Sequence, residues 1–139
     1  MKARTVLMEG RPVPKARPRV FRGHAATPKR TQQAEAQLLA IYMIQNPGEE
    51  PFTGPVGVDC SFYMPIATSW SKSKKKMAAE GLLPCKGRPD IDNLTKLVLD
   101  ALNGFAFKDD SQIIVQISRK LYSGEYPDGA TIVQITDLE

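Results

Sequence analysis

The sequence predicts an α+β fold, a single-domain two-layer sandwich in which a mixed β-sheet carries its helices mainly on one face. Three observations predict it. The chain has 139 residues, one domain's worth, enough to bury roughly two-thirds of its unfolded surface around one core. Its hydrophobic period switches in the order strand, arm, helix, strand, basic helix, helix, strand, strand,. The last two strands are separated only by a turn, which favours antiparallel neighbours over a doubly wound parallel sheet.

Arg4 to Met8, RTVLM, is the first strand, stopped by Gly10 and Pro12,. Residues 11–30 form a basic arm, rich in proline and without a clean period. From Thr31 onward Ala34, Leu38, Ile41, Tyr42 and Gln45 recur at helical spacing, with Thr27 or Thr31 as the cap and Asn46-Pro47-Gly48 as the stop,. Pro55 to Met64 alternates, placing Val56, Val58, Cys60 and Phe62 on one face of a half-buried strand,. TSWSKSKKKMAAEG gives a short basic helix with a serine cap and a terminal Gly81,. After a linker over 82–89, Leu94, Leu97, Val98, Ala101 and Leu102 mark the clearest amphipathic helix, closed by Asn103-Gly104,. Ile113 to Tyr122 and Ala130 to Thr136 close the chain as an expected hairpin,. Met8, Met43, Met64 and Met77 are read as core or partly core, and Trp70 as a packing anchor.

Composition excludes several classes. With 42% hydrophobic and 24% charged residues the chain is neither disordered nor collagen-like,. No apolar run reaches the roughly 20 residues of a membrane helix, so no membrane partner is expected. Cys60 and Cys85 stand in no metal-ligand spacing,. The first residues, MKARTVLMEGRPVPK, lack a secretory signal, so a cytoplasmic location is expected,.

The net charge of +4 is unevenly spread. Residues 1–30 hold nine Lys and Arg against Glu9, and residues 72–88 hold six against Glu80. These segments carry +8 and +5, so the remainder of the +4 chain carries −9. Five of its acids are Asp90, Asp92, Asp100, Asp109 and Asp110. Basic segments around an acidic centre suit a protein that attracts a polyanion and holds a divalent metal against it.

Asp92, Lys96 and Asp100 are spaced i, i+4, i+8 opposite the leucine face of their helix, with Asp90 just outside its start. Asp109-Asp110 arrives at the head of the next strand. If these converge, they offer the oxygen ligands that Mg²⁺ prefers, beside a lysine able to hold a phosphate. Each part also has an ordinary explanation: helix-start aspartates cap, an Asp–Lys pair four apart is a common surface pair, and Asp-Asp occurs in turns.

The run Arg88-Pro-Asp90-Ile-Asp92-Asn93-Leu-Thr-Lys96, through Asp100-Ala-Leu-Asn-Gly to Phe107-Lys-Asp109-Asp110-Ser-Gln-Ile, resembles the RusA family of Holliday junction resolvases. Gly10 to Arg19, Thr27-Pro28 and Ser69 to Lys72 resemble it too, so the likeness runs nearly the whole chain as one domain, 1–139. The resemblance implies a Mg²⁺-dependent endodeoxyribonuclease, with Mn²⁺ a plausible substitute, acting as a homodimer that nicks four-way DNA junctions symmetrically in recombination and repair. It puts catalysis on Asp90, Asp92, Lys96 and Asp110 and the metal on Asp90, Asp92 and Asp110. Asn93, Asp100 and Asp109 become supporting positions.

Lys15, Arg17, Arg19, Arg22, Lys29 and Arg30 in the arm, and Lys72, Lys74, Lys75 and Lys76 in the basic helix, are the DNA-contact candidates,. One carboxylate cluster per chain and two scissile phosphates per junction require a two-fold dimer for paired cuts. Two other readings stay open: a nuclease for flaps or forks, and a non-catalytic DNA-binding architectural protein.

Overall fold

The computed structural model describes residues 2–16, 19–21, 24–26 and 28–139, the two short segments as backbone. In chain order the elements are β1 (Ala3–Glu9), β2 (Arg19–Phe21), β3 (His24–Ala26), α1 (Lys29–Gln45), β4 (Val56–Tyr63), α2 (Lys72–Ala79), α3 (Ile91–Leu102), a 3₁₀ turn at Asp110–Gln112, β5 (Ile113–Leu121) and β6 (Ala130–Asp137). Strict alternation suits β4 to an interior place in the sheet: Val56, Val58, Cys60 and Phe62 are buried and the residues between them half-buried,. It pairs antiparallel with β6, placing Val58 opposite Ile135 and Cys60 opposite Val133. Its other neighbour is β5, which runs parallel. β1 joins beyond β6, so the four-stranded sheet has the order β1-β6-β4-β5. With three helices this mixed sheet makes the α+β fold that the sequence predicts.

The expected closing hairpin is not formed. β5 and β6 follow each other in the chain but lie on opposite sides of β4. β6 buries Thr131, Val133 and Ile135 between two neighbours, whereas β5 is largely exposed and takes the sheet edge. A buried strand needs neighbours on both sides to pair its backbone N–H and C=O groups, whereas one whose residues are largely exposed can leave an edge to water. The connection crosses the end of α2, where the Gly124 amide donates to the Ala79 carbonyl at 3.0 Å.

The arm contains a two-stranded ladder, Arg19 opposite Ala26 and Phe21 opposite His24, not the irregular loop expected. α1 begins two residues earlier than its hydrophobic period suggests, with Pro28 at its N-cap position. Thr27 lies outside the described residues. Thr31 is no cap: it is buried, and its hydroxyl accepts the Ala16 amide at 3.2 Å. Thr31, Ala34, Leu38 and Tyr42 form the buried stripe by which α1 packs on β1 and α3. Arg4 of β1 is also buried. Its guanidinium lies 3.8 Å from the centre of the Phe52 ring and donates to the Tyr42 hydroxyl at 3.1 Å,.

α2 is capped by Ser71, whose Oγ accepts the Lys74 amide. Trp70 packs edge-on against Tyr122, with the Lys74 ammonium 4.1 Å over its ring. Met8 and Met64 are in the core, but Met43 and Met77 are exposed, because both sit on the outer faces of helices. Among the described residues no helix is long and apolar enough to cross a membrane.

Gly129 closes the approach to β6 at φ 96°. A Cβ there would stand 3.0 Å from the carbonyl oxygens of Gly10 and Tyr63. Both are backbone atoms held in the β1 and β4 ends of the sheet and cannot step aside. Gly129→Ala is expected to destabilise the fold by about 2 kcal/mol, read as a lower urea midpoint at unchanged slope.

Candidate active site

Burial of Leu94, Leu97, Val98, Ala101 and Leu102 turns the other side of α3 outward. That side presents Asp92, Lys96 and Asp100, one helical turn apart. Thr95 locks its rotation: the hydroxyl bonds the Ile91 carbonyl at 2.9 Å and Ser118 of β5 at 2.8 Å. Side chains two apart share a sheet face, so Gln116 points toward α3 as Ser118 does. The result is a cavity of about 260 Å³ lined by Asp92, Thr95, Lys96, Leu99, Asp100, Asp110 and Gln116.

Asp110 arrives there through a fixed connection. Phe107 is fully buried and bridges to Phe52 and Asn103. Asp109 then caps the 3₁₀ turn: its carboxylate accepts the Ser111 amide at 2.9 Å, while Gln112 Oε1 accepts the Asp109 amide at 2.8 Å,. The hydrogen bonds from Ser111 hold the Asp109 carboxyl below its ordinary pKa. Gln112 Nε2 donates to the carbonyls of Phe52 and Gly54, both at 2.8 Å, and so ties the turn to the segment before β4. Just beyond, Val56 faces Ile113 but Gly57 faces Val115, one extra residue on β5 at the rim of the cavity,.

The five central aspartates fall into two groups. Asp109 is a cap. Asp100 is ion-paired to Lys15 at 3.2 Å and to Lys96 at 3.6 Å. Asp90, Asp92 and Asp110 have no ion pair or side-chain hydrogen bond among the described residues. Asp90 is the N-cap residue of α3 yet makes no capping bond. It lines a neighbouring cavity of about 480 Å³ with Arg11, Lys15, Arg30, Arg88 and Asn93. The structure therefore gathers Asp92, Lys96, Asp100 and Asp110 about one cavity and sets Asp90 and Asn93 on the other side of the helix start. Among the described residues no three His, Cys, Asp or Glu side chains form a metal cluster. Two unpaired carboxylates on one open cavity nonetheless fit Mg²⁺, which binds through one or two carboxylates and completes its shell with water and substrate phosphate.

Lys15, a DNA-contact candidate, is engaged within the chain. Its ammonium bonds Glu35 of α1 at 2.5 Å as well as Asp100, and its backbone amide donates to the Asn93 carbonyl at 2.8 Å. Burial disfavours its charge, but the bonds to Glu35 and Asp100 outweigh this and raise its pKa. Lys29 and Arg30 are exposed in the first turn of α1. Lys72, Lys74 and Lys76 are exposed on α2, with Lys75 half-buried. Arg19 is known here as backbone in β2; Arg17 and Arg22 lie outside the described residues. Sequence reasoning misses Gln112, Gln116, Thr95 and Glu35. Asp109-x-x-Gln112 is a capping-box spacing that signals the first; the others depend on tertiary contacts.

A lysine whose folded pKa lies above its ordinary 10.5 contributes stability that is complete below that value and fades as pH rises through the folded one. Lys15→Met is expected to cost about 2 kcal/mol. In denaturant titrations the deficit should stay constant between about pH 6 and 9 and shrink only above the ordinary lysine range.

Comparison with known proteins adds two findings. The family model described as "Endodeoxyribonuclease RusA" matches residues 9–136. A Bacillus subtilis (strain 168) protein, "Uncharacterized protein YqaN", is 40% identical over 122 residues, covering 84% of this chain and 85% of that protein. The matched span runs from the end of β1 into β6 and takes in both cavities, the capped turn and all five aspartates: the chain belongs to the RusA endodeoxyribonuclease family.

Proposed function

We propose that this chain resolves four-way DNA junctions by paired, metal-dependent nicks made as a homodimer. The observation that carries this reading is the sorting of the aspartates. The two that the sequence makes supporting residues, Asp100 and Asp109, are committed to an ion pair and a cap. Among the described residues Asp90, Asp92 and Asp110 remain unpaired. A pure DNA-binding protein would gain nothing from three unsatisfied negative charges beside a phosphate path, which argues against the architectural alternative.

In this reading Asp92 and Asp110 hold Mg²⁺ or Mn²⁺, with Asp90 contributing from the helix start. When bound, the ion supplies Lewis-acid polarisation of the scissile phosphate and a water of lowered pKa. Lys96 is 63% exposed on the same cavity, so its ammonium is open to a phosphate oxygen and stabilises charge that builds up on it. Asp100 keeps that ammonium over the cavity instead of letting it range through solvent. Lys15, itself held by Glu35, in turn holds Asp100. The cap by Asp109 and the two bonds from Gln112 fix where Asp110 stands.

Support for a homodimer comes from exposed apolar residues. Ile114, Val115 and Ile117 on the edge strand are 65%, 47% and 46% exposed, and Met43 and Ile44 at the end of α1 are exposed too. The β5 edge adjoins the Asp110 cavity, so a second copy there would set two sites at a fixed separation. Ile114→Glu is then expected to shift sedimentation from dimer toward monomer and turn paired cutting into single nicks.

The reading is tested with labelled four-way junction, fork and plain duplex, each in Mg²⁺ and in EDTA. The expected outcome is symmetric, ligatable nicks on the junction in Mg²⁺ alone. Asp92→Asn should bind the junction as well as the unaltered protein while cutting falls at least about 10²–10³-fold. The neighbouring pair discriminates further. Asp110→Asn should lose cutting to a similar extent, whereas Asp109→Asn should stay within about threefold, since Asn caps as well as Asp.

A further inference from the structure

The larger cavity, about 480 Å³, lies across the start of α3 from the Asp92 cavity, and three arginines from separate segments meet on it: Arg11, Arg30 and Arg88. Only Arg30 is a DNA-contact candidate from the sequence. All three are exposed, and none has an ion pair or hydrogen bond among the described residues. Lys15, also on the wall, is already neutralised by Glu35 and Asp100. α1 begins at the same place and makes the local excess of positive charge larger. Its N-cap position is Pro28, which offers no capping side chain; its first turn holds no acid and carries Lys29 and Arg30 at the positive end of the helix dipole,. Three guanidinium groups and an uncapped helix start around one concavity are stabilised by an anion. Guanidinium forks match phosphate oxygens in particular. Asp90 and Asn93 also line the cavity, so three guanidinium groups face one carboxylate and the balance stays positive. Pro12, Pro14 and Pro89 add an apolar surface suited to a sugar ring and of no use to a bare ion.

We propose that this cavity seats a backbone phosphate and its sugar on the DNA strand that continues into the Asp92 cavity. The seat rests on the nuclease reading above and deepens it: Asp90 stands between a phosphate that is gripped and one that is cut. Gripping the strand beside the scissile bond fixes its register without contributing to the chemical step.

The test measures affinity for a labelled four-way junction in EDTA over a series of salt concentrations, with cleavage in Mg²⁺ assayed in parallel. Arg11→Ala and Arg30→Ala should each weaken binding by about tenfold and lower the slope of log affinity against log salt by about one. Lys2→Ala, which removes an exposed charge just ahead of β1 that does not line the cavity, serves as the control and should leave both within about twofold. Arg11→Gln and thermal midpoints guard against a folding defect. Arginine variants that bind like Lys2→Ala overturn the seat while leaving the nuclease reading intact. An unaltered protein that binds the junction with the expected arginine dependence but does not cut it in Mg²⁺ overturns the nuclease reading and supports the seat as a binding site. An unaltered protein that binds no branched DNA overturns both.

Discussion

Burial of one face of α3 fixes where its other face points, and the placing of Asp92, Lys96 and Asp100 depends on that. Leu94, Leu97 and Leu102 are buried almost completely, each worth about 2 kcal/mol of apolar transfer. Rotating the helix far enough to move Asp92 or Lys96 out of the cavity would expose part of this stripe. The Thr95–Ser118 bond then sets the fine position against β5. β5 is itself fixed by its parallel ladder to β4, so the cavity inherits its shape from the sheet. Lys120 adds a tether at the near end, donating to the carbonyls of Gly87 and Pro89 just ahead of Asp90.

Charge placement follows a second constraint. Near the site, nearly every group that can be paired is paired: Lys15 with Glu35 and Asp100, Lys96 with Asp100, Asp109 with the turn amides. These pairs leave Asp92 and Asp110 on one side of the α3 start and three guanidinium groups with Asp90 on the other. Unpaired like charges destabilise a fold, so retaining both sets has a cost that binding offsets. At a separation of roughly 5 Å and an effective dielectric near 20, a carboxylate and a phosphate repel by about 3 kcal/mol. Two such carboxylates would hold DNA away from the cavity unless a divalent cation stands between them and the backbone.

Much of this was legible in the sequence, and the parts that were not share a physical cause. Local period located β4 and α3, because each buries a regular stripe within its own length; α2, which buries only Ala78, was marked instead by its serine cap, its helix formers and Gly81. Partner choice among strands has no such local signal. Ile113–Leu121 and Ala130–Asp137 flank a glycine-rich turn and so resemble a hairpin, yet the partners that settle the matter, β1 and β4, lie far away in sequence. Lys15 misleads in the same way. In the sequence it sits among cations of the arm with no acid beside it, and its carboxylates arrive from α1 and α3, 20 and 85 positions further on. The Asp-Asp pair shows the opposite case. Its two members are identical as residues, but the Gln three positions after Asp109 marks that one as a cap and leaves Asp110 for the cavity.

The same separation explains how one helix start can serve two opposite charges. Asp90 and Asp92 are two residues apart at the beginning of a helix, and a rotation of about 100° per residue places them some 160° apart around its axis. A carboxylate on each side lets the arginine cavity and the Lys96 cavity share a wall without sharing a charge. A strand laid across that wall would meet guanidinium first and carboxylate next, so its phosphates are attracted where they are to be held and repelled where they are to be cut. Attraction at the first position raises the local concentration of phosphate at the second, and the repulsion there makes occupancy conditional on metal. On the proposed reading, binding without metal and cutting only with it would both follow from a single turn of backbone.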